Sequence, residues 1–183
     1  MTQHELPAPQ QLAQLLREGK RTETTREATG MFLKRIASAL ETHLGELESD
    51  VGTRALEDDR EIQYLDRAFF ALVPPFGRGN RMPPALTVFL VPGQLWWGVF
   101  ARGSQEKMEQ LAERLSSLVS FVGDSEIQVA PGDFYREEAV GIAAHLALGE
   151  TWTPDDVAEV DSLDVLAQKI ADDLAAWHTR LTP

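Results

Sequence analysis

The stretch PALTVFLVPGQLWWGVFAR, residues 84–102, narrows the possible folds more than any other feature of this chain. Two strand-like runs meet at Pro92-Gly93, so the stretch reads as a β-hairpin. A hairpin with one wet face alternates apolar with polar residues, and neither run does so. Both faces therefore need cover. Trp96 and Trp97 make the need concrete, because neighbours on a strand point to opposite sides of the sheet. One of them enters a core, and the other meets a second layer, a second subunit or a partner protein.

The flanking sequence supplies helices and further strands. PQQLAQLLR starts with Pro9, spaces Leu12, Leu15 and Leu16 helically and stops at Gly19, which predicts a short helix. KRTETTREATG is polar and mixed in charge and reads as a link or a frayed helix start. From about Ala28 to Leu47, Leu33, Ile36, Leu40, Leu44 and Leu47 form one amphipathic stripe. YLDRAFFALV predicts a strand, and PPFGRGNRMPP a loop leading into the hairpin. Ser104 is placed to cap a helix carrying Met108, Leu111, Ala112, Leu115, Leu118 and Val119. EIQVA is a short strand, and residues 139–148 alternate large with small, which favours a strand over an alanine-rich helix. Thr153-Pro154-Asp155-Asp156 signals a helical turn, and Ser162 caps a last helix with Leu163, Leu166, Ile170, Leu174, Trp177 and Leu181 on one side.

The expected class is α+β: an antiparallel sheet of about five strands with helices packed on it, in the order α-β-β-β-α-β-β-α after a short N-terminal helix. The expected organisation is an N-terminal helix and polar link over residues 1–27 and a single α+β domain over 28–183. The surface expected to meet a partner or a second copy is the hairpin and the strand after residue 139. It comprises Phe89, Trp96, Trp97, Val140, Ile142, Ala143, His145 and Leu146.

Charge divides unevenly along the chain. The net −12 splits into −1 over residues 1–54, 0 over 55–103 and −11 over 104–183. An acidic surface repels phosphate backbones, which disfavours direct nucleic-acid binding, and it keeps a protein soluble while apolar surface is exposed. The chain has no cysteine, which suits a reducing cytoplasm and removes thiol catalysis and thiolate metal sites. No run reaches the roughly 18 apolar residues of a membrane span, so the expectation is a cytoplasmic protein with no membrane contact.

The inventory for chemistry is sparse. Asp58, Asp59, Glu61 and Asp66 are the densest carboxylates before the sheet and the sole motive for a divalent-metal enzyme, yet they lack companion histidines or lysines and read more simply as a charged loop. Asp124, Glu126 and Gln128 lack the lysine that a nuclease arrangement wants. His4, His43, His145 and His178 are scattered singly, and FGRGNR, with Gly77 and Gly79, lacks a phosphate loop's Lys-Ser/Thr ending. Arg67, Arg78, Arg81 and Arg102 are a candidate anion patch and, with Lys20-Arg21, the motive for a nucleic-acid accessory role. No cofactor and no metal are expected.

The order of elements resembles that of the class I chaperones of type III secretion and of the YbjN-like bacterial family. The closer likeness is to the latter, in LWWGVFARGSQEKMEQLAERLSSL, in DFYREEAVGIAAHLALGETWTPDDV and in a helix ending ADDLAAWHTRL, over residues 30–181. The N-terminal helix and its link are extra to that pattern. The resemblance implies a non-enzymatic, usually dimeric protein that holds a client protein by burying apolar segments against its sheet and helices.

Overall fold

The computed structural model describes residues 5–47, 65–72, 82–104, 126–131 and 143–181, with Glu106, Glu109, Gln110, Ala112 and Glu113. Among the described residues, five strands, β1 (Asp66–Leu72), β2 (Met82–Val91), β3 (Gln94–Ser104), β4 (Glu126–Pro131) and β5 (Ala143–Trp152), form an antiparallel sheet in the order β1-β2-β3-β5-β4. The class is α+β. The hairpin turns at Pro92-Gly93, with Val91 opposite Gln94 and Gly93 at a φ of 82°.

Two strands run further than the sequence suggests. β2 starts at Met82, so Pro83 and Pro84 lie inside it; the β2–β3 register shifts between Met82 and Ala85, an irregularity at which a strand tolerates proline. β5 continues past Leu148 through Gly149, Glu150, Thr151 and Trp152, which pair with Gly98, Trp97, Trp96 and Leu95. Glu106, Glu109, Gln110, Ala112 and Glu113 are helical, within the helix expected after Ser104, the last residue of β3.

One face of the sheet carries Leu86, Val88, Leu90, Leu95, Trp97, Val99, Ala101 and Leu148, all buried. Two long helices bury their stripes in the same cluster: α2 (Glu23–Leu44) through Phe32, Leu33, Ile36 and Leu40, and α4 (Leu163–Leu181) through Leu166, Ile170, Leu174 and Trp177. α2 begins at Glu23, ahead of the expected start at Ala28, so the link is largely helix. Thr22 caps it by accepting the Thr25 N–H at 3.1 Å, and its first turns bury Thr25, Ala28 and Thr29.

α1 (Pro9–Glu18) belongs to the same core, with Leu12, Ala13 and Leu16 buried. It is tied to the hairpin turn, since the Gly93 N–H donates to the Leu16 carbonyl at 2.8 Å. Gly19, at a φ of 62°, ends the helix directly beneath Pro92: a Cβ there would lie 2.8 Å from the proline Cβ. On its other side α1 meets the short helix α3 (Pro154–Ala158), through Gln10 to the Ala158 carbonyl at 2.9 Å and an Arg17–Asp155 ion pair at 2.5 Å. Thr153 and Asp156 close a capping box on α3.

Gly30 has no such reason to be glycine. It lies in the interior of α2, and a Cβ there meets nothing within 4 Å. Gly30→Ala is expected to stabilise the fold by about 0.5–1 kcal/mol through backbone entropy alone. Thermal unfolding checks this, with a midpoint raised by roughly 1–4 °C for a chain of this size.

Candidate functional site

Strand alternation puts Trp97 and Trp96 on opposite faces, and their surroundings differ in kind. Trp97 is a core residue, 1% exposed. Its Nε1–H donates to Asp173 Oδ2 at 3.0 Å and its ring meets Trp152 edge-on at 5.4 Å. Lys169 lies over both rings, at 5.4 and 5.7 Å, and donates to Asp173 at 2.8 Å and Glu150 at 3.5 Å. Trp152 Nε1–H donates to Glu150 at 2.8 Å. Burial would by itself lower the Lys169 pKa, but the hydrogen bonds and charges of Asp173 and Glu150 outweigh it and raise it above the ordinary value. The cluster fastens α4 to β3 and β5. It was not foreseen as a unit, because its members come from three separate segments.

Trp96 faces away from that core, in an aromatic patch centred on Phe89. Phe89 stacks on Trp96 at 5.3 Å and meets Phe69 and Phe100 edge-on at 6.0 and 5.1 Å. The Arg67 guanidinium lies 5.2 Å from the Phe69 ring. Cross-strand pairing aligns Arg67, Phe89, Trp96 and Thr151 in one row over β1, β2, β3 and β5. Phe89 and Phe100 are 8% exposed, whereas Phe69 and Trp96 are half-buried. Gly149 lets Trp96 lie against the sheet, since a Cβ on it would come within 2.8 Å of Trp96 Cζ2. Each aromatic pair adds about 0.5–1.5 kcal/mol beyond burial. Phe69 and Phe100 were missed as members, although Phe100 is four residues from Trp96 and hence of the same strand parity.

The other expected interface residues divide. Ala143 and His145 pair with Ser104 and Arg102, positions of Trp96's parity, while Leu146 pairs with Ala101, a position of Trp97's parity. Val140 and Ile142 lie outside the described residues, as do Arg78 and Arg81 of the anion patch. The remaining two arginines do not converge in strand register: Arg67 is in the Trp96 row, and Arg102 is six residues further along β3, about 20 Å away.

Of the carboxylates, Asp58, Asp59 and Glu61 lie outside the described residues. Asp66 opens β1 and accepts from Thr29 Oγ1 and from the Arg67 N–H, each at 2.8 Å. Burial raises its pKa above the usual 3.8, against those hydrogen bonds and the charges of Arg26 and Arg21, which pull it down. A raised folded value means that the contribution to stability is fully present below the unfolded pKa and is lost as pH rises through the folded one. Asp66→Asn, which cannot ionise, is therefore expected to gain stability relative to the parent between pH 4 and pH 7. Urea midpoints across that range check the sign, and a difference that shrinks with pH means that the two hydrogen bonds and the arginine charges outweigh burial.

Among the described residues, no group of three or more histidines and carboxylates is placed to hold a metal ion, and no helix is long and apolar enough to cross a membrane. No family model, no curated protein and no solved structure matches the chain.

Proposed function

We propose that this chain is a non-enzymatic protein-binding module of the cytoplasm, chaperone-like in the manner of the YbjN-like family, which self-associates as a homodimer and takes a client protein through apolar sheet surface. One observation carries the reading: the sheet face opposite the helix-covered core gathers Phe69, Phe89, Trp96 and Phe100 into one aromatic patch, of which Phe69 and Trp96 are only half-buried. Trp96 is the natural anchor, because it is large, half-buried and seated over a glycine, and interface tryptophans are frequent hot spots. The charge of −12 supports the same reading, as it keeps such a surface soluble between partners. No cofactor enters the proposal.

Trp96→Ala tests it. The expected loss is about 2 kcal/mol of association energy, or roughly a 30-fold weaker dimer, at a smaller cost in folding stability. Sedimentation equilibrium over a concentration series measures it. A parent protein that stays at monomer mass at micromolar concentration, and whose recovery of partner proteins is unchanged by Trp96→Ala, would overturn both the dimer and the assignment of this face.

A further inference from the structure

We draw no further inference here: the strongest candidate, the aromatic patch of Phe69, Phe89, Trp96 and Phe100 on the sheet face opposite the core, belongs to the site already described, and nothing among the described residues shows what covers it.

Discussion

Trp97→Ala is expected to cost about 3–5 kcal/mol of folding stability, the range for removing a large buried aromatic. The side chain is 1% exposed and lies between α4 and the centre of the sheet, where the surrounding helices and strands cannot collapse into the space it leaves. The loss extends beyond volume. Asp173 gives up the indole N–H at 3.0 Å, Trp152 gives up its edge contact, and Lys169 gives up one of the two rings beneath it. Asp173 retains Lys169 at 2.8 Å, so the carboxylate is not stranded and the cost stays within the cavity range. Trp97→Phe separates the contributions, since it keeps most of the apolar fill and deletes the donor, and it is expected to cost about 1–3 kcal/mol. Urea unfolding at unchanged m-value is the measurement. Equal losses from Trp97→Ala and Trp96→Ala would mean that both sheet faces are equally internal, which contradicts the assignment of the Trp96 face to a partner.

Periodicity made much of this arrangement readable. Leu33, Ile36 and Leu40 in α2, and Leu166, Ile170, Leu174 and Trp177 in α4, are buried as their spacing requires, and the hairpin turns where Pro92-Gly93 places it. The opposed directions of Trp96 and Trp97 also followed from strand geometry, but which of them enters the core did not, because that depends on where α2 and α4 dock. The first turns of α2 read in sequence as a link or a frayed helix start because their buried face is Thr25, Ala28 and Thr29, small residues that leave no apolar stripe to detect. Trp97 was grouped with the interface for a related reason: its Asp173, Glu150 and Lys169 neighbours lie at least fifty residues away in sequence. The arginines near the hairpin looked like one patch, and strand register sets Arg67 and Arg102 in different rows.

Gly98 and Gly149 are expected to tolerate no side chain, although alanine is ordinarily accepted in a strand interior at least as well as glycine. They pair directly across β3 and β5, and their backbones approach so closely that a Cβ on Gly98 overlaps the Leu148 carbonyl oxygen and comes within 2.5 Å of Gly149 Cα. The obstacle is main chain, which cannot rotate aside as a side chain would, so the strands must part. Gly98→Ala is expected to cost about 3 kcal/mol, the upper end of ordinary overpacking. Gly149→Ala meets the Trp97 carbonyl oxygen in the same way and also presses on Trp96 at 2.8 Å. It should therefore disturb two properties, folding stability and the lie of Trp96 on the aromatic face. The double variant should cost less than the sum of the single ones, because separating β3 from β5 once relieves both overlaps. Denaturant unfolding of the three variants gives the stabilities, and sedimentation equilibrium gives the association. If association falls in proportion to stability for both glycines, Trp96 contributes nothing specific to the contact; if it falls further for Gly149→Ala, the position of the indole over Gly149 is what the partner reads.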